Sequence, residues 1–185
     1  MKYLHLVTIF LVFAFASGTF MTPNAAGESS ATEIDRDAKV ALKELYAESA
    51  SAKAMGAKAK GILIFPAIIK GGFLVGGQYG EGAFLKGGKT SGYYSTIQMS
   101  YGLQAGLQKY GYVLFFMTES GMKWLDKSDG WEIGVGPSIV VVDDGAATSK
   151  TTTTLQADIY AVFFNQKGLM GGLGLQGTKI TKMKK

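Results

Sequence analysis

The stretch Ile97-Gln-Met-Ser-Tyr-Gly-Leu-Gln-Ala-Gly-Leu107-Gln108 decides the fold class. Its odd positions are apolar or aromatic, and its even positions are Gln, Ser or Gly. Successive side chains of a β-strand point to opposite faces of the sheet, so a period of two indicates a strand. The stretch therefore predicts a β-strand with one apolar face.

Glycine is abundant on both sides of this stretch. The chain has 185 residues and 26 glycines, of which only Gly18, Gly27 and Gly56 precede residue 61. An interior Gly costs a helix about 1 kcal/mol relative to Ala, whereas bulges and tight turns of a sheet accommodate it. Further strands are predicted at residues 61–65 (ended by Pro66), 68–79, 93–97, 112–117, 131–142, 151–165 and 169–180, with residues 165–168 as the hairpin loop between the last two.

Helical patterns occupy two places. Residues 30–60 have an apolar face and a capping box formed by Ser30 and Glu33, with Gly56 as a breaking or ending point. Asp35 and Lys39 stand four apart, in the favourable order for an ion pair. A short helix is predicted after Thr118, which is its cap.

These elements predict a mainly β (α+β) fold. It has an N-terminal helical segment at about residues 31–60. A β region at about residues 61–182 follows, with seven or eight antiparallel strands that glycine bends into a barrel-like or strongly curved sheet. One short helix is inserted in it, and residues 27–185 form a single domain.

Residues 1–26 are predicted to be an export signal. Lys2 precedes the apolar run Leu6-Val-Thr-Ile-Phe-Leu-Val-Phe-Ala-Phe-Ala16, which is short for a membrane span. Cleavage is expected after Ala26, with Ala16 as the second candidate and an uncleaved anchor as the alternative. The chain has no Cys, which excludes a lipoprotein signal. We expect an exported protein, periplasmic or associated with the envelope of a Gram-negative bacterium.

The segment Ala83-Phe-Leu-Lys-Gly-Gly-Lys-Thr90 matches a relaxed phosphate-loop pattern, and Asp143-Asp144 after four apolar residues resembles its acidic companion. A phosphate loop requires a strand that leads directly into a helix. Here Gly92 and two tyrosines follow Thr90 and disfavour a helix. The segment therefore predicts a strand end, a turn at Gly87-Gly88 and a second strand, with no nucleotide site.

Catalysis has little support in the sequence. The only His is His5, within the predicted signal, so neither an imidazole base nor a metal site is expected. Glu81 stands between two glycines, and it is interpreted as a turn or edge residue in preference to a functional carboxylate. No cofactor and no enzymatic activity are predicted. Aromatic and basic residues around position 90 would suit nucleic acid or lipid, but the alternating pattern favours core.

Several ordered runs resemble a known family. They are Ala59-Lys-Gly-Ile-Leu-Ile-Phe-Pro66, Lys70-Gly-Gly-Phe73, Val75-Gly-Gly-Gln-Tyr-Gly-Glu-Gly82, Gly102-Leu-Gln-Ala-Gly-Leu-Gln108, Trp131-Glu-Ile-Gly-Val135, Lys167-Gly-Leu-Met-Gly-Gly171 and Leu175-Gln-Gly-Thr178. Together they resemble the SYLF-domain family of lipid-binding proteins over residues 34–180. The resemblance implies a predominantly β domain with N-terminal helices. It also implies phosphoinositide and actin links in eukaryotic members, and export with lipid binding in bacterial ones.

The resulting expectation is a non-enzymatic protein that binds phospholipid or a membrane surface. Its basic residues would meet anionic headgroups, and the candidates are Lys53, Lys58, Lys60, Lys70, Lys86 and Lys89. Nucleic acid is not expected as a partner, and neither is actin, because the chain is predicted to be exported. The alternatives are an envelope structural or protein-interaction module without lipid, and a hydrolase that uses Glu81 or Asp143 and Asp144.

Overall fold

A computed structural model describes residues 29–73, 75–101, 106–127, 129–142, 157–168 and 174–185. The helices are α1 (Ala31–Glu48), α2 (Ala50–Lys58) and α3 (Glu119–Met122), and a 3-10 turn (Lys123–Asp126) continues α3. The strands are β1 (Gly61–Phe73), β2 (Val75–Lys86), β3 (Lys89–Tyr101), β4 (Gly106–Phe116), β5 (Trp131–Glu132), β6 (Ile139–Val142), β7 (Ile159–Gly168) and β8 (Lys179–Met183). The predicted signal lies outside the described residues, and the domain division stays a prediction.

The eight strands form one sheet in the order β5-β8-β3-β2-β1-β4-β7-β6. The sheet is strongly curved, like half a barrel, which confirms the predicted mainly β (α+β) class. The prediction of antiparallel strands throughout is wrong at one edge, where β6 runs parallel to β7. Sixteen residues separate Val142 from Ile159, which is long enough for the crossover that a parallel pair requires.

The N-terminal segment consists of two helices where one was predicted. The capping box of Ser30 and Glu33 is present, and so is the ion pair between Lys39 Nζ and Asp35 Oδ2 at 3.8 Å. The break lies at Ser49, whose extended backbone ends α1 and whose side chain accepts a hydrogen bond from the N–H of Ala52 at the start of α2. A Ser side chain at that point competes with the helical backbone bonds, so it favours a cap.

Pro66 does not end the first strand, contrary to the prediction. It lies inside β1, between the register shift toward β2 at Ile64 and Ala67 and the shift toward β4 at Phe65 and Ile68. The extra residue of a β-bulge is released from the ladder. Proline, which has no N–H, is tolerated there although β1 is a central strand.

The period-two stretch that begins at Ile97 belongs to two strands, not to one. β3 ends at Tyr101 and β4 begins at Gly106, and residues 102–105 lie outside the described part of the chain. β3 pairs with β2, and β4 pairs with β1 on the other side of the β1–β2 hairpin. The alternation continues because odd positions of both strands point to the same face.

The C-terminal strands differ most from the prediction. Residues 131–142 form β5 and β6, at opposite edges of the sheet, with Gly134 and Gly136 at positive φ between them. Asn165 (φ 52°) lies inside β7, at a register shift against β4, so it belongs to a bulge and not to a hairpin loop. β7 and β8 do not pair. The predicted strand parts at 151–156 and 169–173 lie outside the described residues.

The sheet buries apolar side chains on both faces. On the helix face, α1 and α2 pack against side chains that include Ile64, Ala83 and Val113. On the opposite face, called the core face below, the strands contribute Phe65, Tyr112 and other rings, which pack with α3 and Trp131. Both faces of the sheet are therefore buried in the first half of β1 and in the second half of β4, near α1 and α3.

Candidate functional site

The six predicted lysines do not form one site. Lys53 and Lys58 are exposed on α2, and Lys60 follows that helix with its Nζ 3.5 Å from Glu119 Oε1. Lys86 and Lys89 are exposed at the end of β2 and the start of β3. Because Ile62 pairs with Leu85, Lys60 and this turn lie at the same end of the sheet.

Lys70 is separated from the others. It lies near the far end of β1, and only 8% of it is exposed. Its cross-strand neighbours on the core face are Gln78 and Gln108, which are also buried. The role of each lysine in lipid binding stays a prediction, but Lys70 lies inside the protein, where it does not share a surface with the rest.

Lys53 borders an open groove between α1 and α2. The groove has a volume of about 460 Å³ and is lined by Lys39, Leu42, Lys43, Tyr46, Ala47 and Lys53. Its floor is mainly aliphatic and aromatic, with lysines around it. Burial raises the pKa of the Tyr46 hydroxyl, so the phenol is neutral at physiological pH and contributes no charge to the groove.

The phosphate-loop-like segment is a hairpin, as predicted. Its turn residues Gly87 and Gly88 have φ values of 58° and 75°, and β3 begins directly after them. Thr90 Oγ1 donates a hydrogen bond to Asp35 Oδ1 at 2.7 Å, so the Thr side chain fixes α1 to the sheet. The strand-to-helix context of a nucleotide site is absent from this segment.

Glu81 lies inside the central strand β2, so it is neither a turn nor an edge residue. Its Oε1 accepts a hydrogen bond from the Tyr79 hydroxyl at 2.7 Å, and its Oε2 accepts one from the Ser29 N–H at 3.0 Å. The carboxylate therefore holds the chain where it enters α1. Asp143 and Asp144, the alternative candidates in the hydrolase hypothesis, lie outside the described residues.

The helix face carries a surface that the sequence did not predict. Five large apolar side chains there are 47% to 68% exposed: Ile69, Tyr79, Ile97, Met99 and Leu107. We call this set the apolar platform.

Strand pairing places the members of the apolar platform next to one another. Ile69 pairs with Tyr79, and Tyr79 pairs with Ile97. In the next row, Leu107 and Met99 stand on either side of Gly71 and Gly77. Cross-strand partners share a face and lie about 5 Å apart, so these side chains form one patch.

Lysines flank the apolar platform on both sides. Lys109 pairs with Ile69 and, on the next strand, with Lys167, while Lys179 pairs with Ile97. All three are exposed. The row from Lys179 to Lys167 crosses six strands, about 24 Å at the usual strand spacing. It therefore presents an apolar centre between cationic ends.

Two general features of the described residues bear on function. Within these ranges no helix is long and apolar enough to cross a membrane. The same ranges contain no cluster of three or more His, Cys, Asp or Glu side chains arranged to hold a metal ion.

The fold defines the class: a mainly β domain whose curved eight-stranded sheet is covered on one face by N-terminal helices. Residues 97–185 match the model of the family described as "Ysc84: Las17-binding protein actin regulator". The match confirms, over these residues, the resemblance to the SYLF-domain family that was drawn from the sequence motifs. No curated protein matches the chain. The family is linked in general to lipid and actin binding.

Proposed function

We propose that this protein is a non-enzymatic lipid-binding protein that associates with phospholipid surfaces through the apolar platform. The observation that carries the proposal is the contiguous exposure of five large apolar side chains on one sheet face. Soluble monomers rarely expose such patches without a binding role. In keeping with its predicted export signal, the protein would act in the periplasm or at the envelope of a Gram-negative bacterium.

The charges around the apolar platform favour a membrane over a neutral apolar partner. Lys109, Lys167 and Lys179 would stay at the level of anionic headgroups, and their aliphatic stems would extend the apolar contact. Tyr79 has the amphipathic ring that is enriched at membrane interfaces. The apolar side chains would enter the boundary between headgroups and acyl chains, as those of amphipathic surface helices do.

Vesicle co-sedimentation tests the proposal with the chain that begins at Gly27. Wild-type protein is expected to bind phosphatidylglycerol-containing vesicles, and the pair Met99→Ser with Leu107→Ser is expected to weaken binding about tenfold or more, since each loses about 1.5–3 kcal/mol of apolar burial. The matched control is Val40→Ser with Val135→Ser, two exposed apolar residues elsewhere. Circular dichroism checks that all variants are folded.

The lysines provide a second arm of the same experiment. Lys109→Gln with Lys179→Gln is expected to weaken binding to anionic vesicles, whereas Lys86→Gln with Lys89→Gln, at the other end of the sheet, changes it little. Equal loss of vesicle binding in both double variants would indicate that net charge alone causes the effect. Absence of wild-type binding to anionic and zwitterionic vesicles at low salt would contradict the proposal.

A protein-interaction module is the second candidate function. It is favoured by the edge strand β6, where Val140 and Val141 are exposed, because an edge strand can pair with an extended segment of another protein. The family description names a protein partner and an actin regulator. Crosslinking of a partner that is lost in Val141→Lys, with lipid binding absent, would support this function over the first.

A further inference from the structure

One member of the apolar platform, Met99, carries an oxidisable sulfur. Met99 is 63% exposed, whereas Met55 on α2 and Met122 on α3 are only 5% and 8% exposed. Met117 and Met183 are half-buried. Among the methionines in the described part of the chain, Met99 is therefore the one that a dissolved reagent reaches most easily.

The strands beside Met99 leave its side chain uncovered. Its cross-strand partner on β2 is Gly77, which has no side chain. A Cβ on Gly77 would have the carbonyl oxygen of Gln98 as its neighbour at 3.6 Å, and no described side chain, that of Met99 included, lies within 4 Å of it. On the other side, β8 pairs with β3 from Tyr93 to Ile97, and Met99 lies past the last of these pairs. Within the described residues, the thioether is therefore open on both sides to a molecule as small as a peroxide.

The composition of the chain makes this sulfur the expected target of an oxidant. The chain has no Cys, so no thiol competes for the oxidant, and thioethers are the most readily oxidised side chains that remain. Oxidation of a methionine gives the sulfoxide, which methionine sulfoxide reductases convert back to the thioether. Because exposure governs which sulfur reacts, Met99 is expected to react before the other described methionines.

We propose that Met99 is a reversible oxidation site that responds to hydrogen peroxide. The thioether sulfur attacks one oxygen of the peroxide, so that an S–O bond forms and the O–O bond breaks. The sulfur is oxidised by two electrons and the peroxide is reduced by two, since its second oxygen takes the proton of the first and leaves as water. A dithiol reductant reverses the change: it becomes a disulfide, and the sulfoxide oxygen leaves as water.

Oxidation of Met99 changes the chemistry of the apolar platform. A sulfoxide is polar, and moving it from water into an apolar medium costs free energy unless it is hydrogen-bonded. Met99 follows Ile97 on the same face of β3 and stands in one row with Leu107. The sulfoxide therefore places a polar group among the exposed apolar side chains. The effect on membrane binding rests on the function proposed above, whereas the modification itself does not.

Peptide mass spectrometry after limited treatment with hydrogen peroxide tests the site. The protein is the chain that begins at Gly27, which contains every described residue. We expect Met99 to gain oxygen about tenfold faster, or more, than Met55 and Met122, because the buried sulfurs react only when the fold opens. In urea the fold is lost, and the three rates should become equal. Met170 lies outside the described residues, so all proteins in the binding assays carry Met170→Leu.

Two binding assays test the consequence. Peroxide is expected to weaken binding to phosphatidylglycerol-containing vesicles about tenfold, and to lower the fluorescence of anilinonaphthalene sulfonate, a dye that reports exposed apolar surface without lipid. In Met99→Leu, which has no sulfur at this position, neither signal should change on treatment, whatever its level beforehand. Met183→Leu, at a half-buried methionine of β8, is the matched control and should keep the response. Methionine sulfoxide reductase with dithiothreitol should restore both signals.

The dye separates this inference from the proposed function. If untreated protein does not bind vesicles but peroxide lowers the dye signal only where Met99 is present, the lipid function fails and the oxidation site stands. If Met55 or Met122 is oxidised as fast as Met99 in the folded protein, the assignment of the site is wrong. The inference is also overturned if Met99→Leu responds to peroxide like its parent, if neither signal changes, or if the reductase restores neither.

Discussion

At the scale of single residues, the close packing of β1 against β2 explains the Gly80-Glu81-Gly82 run. A Cβ on Gly82 would overlap the carbonyl oxygen of Ile64, and one on Gly80 would meet Ile68 and lie 2.7 Å from the carbonyl oxygen of Ala67. These partners lie at the bulge of β1, which brings its backbone close to β2. Both glycines are required because the backbones of β1 and β2 approach each other closely here. Glu81 between them holds Ser29 in place.

Gly82→Ala is therefore expected to destabilise the fold strongly. Because the obstruction is backbone rather than a movable side chain, the strand must shift, at a cost of about 3 kcal/mol in the free energy of unfolding. Urea denaturation measures it. Gly174→Ala is the matched control, since a Cβ there would meet nothing within 4 Å, and it should stay within about 0.5 kcal/mol of wild type. Equal midpoints for the two variants would contradict the argument.

At the scale of elements, local signals were predictable and long-range pairing was not. The capping box of Ser30 and Glu33 and the turn at Gly87-Gly88 each depend on residues a few positions apart, and both were predicted correctly. The positions of β5 and β6 at opposite edges depend on partners far along the chain. Periodicity in residues 131–142 shows that strands are present, but it carries no information about which strand they join.

Asp158 joins three elements, which no local pattern indicates. Its Oδ1 accepts from the hydroxyls of Thr118 at 2.7 Å and Ser120 at 3.2 Å. Its Oδ2 accepts from the N–H and hydroxyl of Ser138, just before β6, at 3.2 and 3.1 Å. Asp158 itself precedes β7. The carboxylate thus connects the cap of α3 with the starts of the parallel pair.

These hydrogen bonds, chiefly the one from Thr118 and then the one from the Ser138 backbone, lower the pKa of Asp158 below its usual value of 3.8. The unfolded chain therefore binds this proton more readily than the folded protein. The stabilisation is complete above the unfolded pKa and is lost as pH falls through the lower folded pKa.

Urea midpoints measured from about pH 6 to about pH 3 should consequently fall more steeply for wild type than for Asp158→Asn. At neutral pH the variant should be less stable, because an amide is a weaker acceptor than a carboxylate and adds N–H groups that repel these donors. Asp129→Asn, in the exposed turn before β5, controls for the change in net charge. Parallel pH profiles for wild type and Asp158→Asn would refute the assignment.

At the scale of the whole molecule, the exposure of the apolar platform could not be predicted from the sequence, because its regular alternation is also that of a core-facing strand. Ile97, Met99 and Leu107 alternate with polar residues like core-facing side chains of any strand. Whether such a face is buried depends on how far α1 and α2 extend over the sheet. They cover the half that contains Ala83 and leave the half that contains Tyr79 open. Only the assembled layers distinguish a core from a binding surface.

Two ends of the sheet are therefore candidates for contact with a membrane. The predicted lysine turn at Lys86 and Lys89 lies at one end, and the apolar platform lies toward the other. Ile62 pairs with Leu85, and Gly71, nine positions further along β1, pairs with Leu107. At about 3.3 Å per residue, the two regions are about 30 Å apart, which exceeds the depth of a headgroup contact. Contact through either region alone therefore corresponds to a different orientation of the domain on a membrane.

Because the chain has no Cys, single introduced cysteines can report this orientation without ambiguity. Leu107→Cys and Lys86→Cys, each labelled with an environment-sensitive fluorophore, are compared on phosphatidylglycerol-containing vesicles. We expect a blue shift at Leu107, whose side chain should leave water, and no shift at Lys86, with labelled Val135→Cys as a second exposed control. The signal at Leu107 should persist in high salt, since screening weakens the lysine contacts but not apolar burial. A blue shift at Lys86 alone would instead place the lysine turn at the membrane and exclude the apolar platform as the contact.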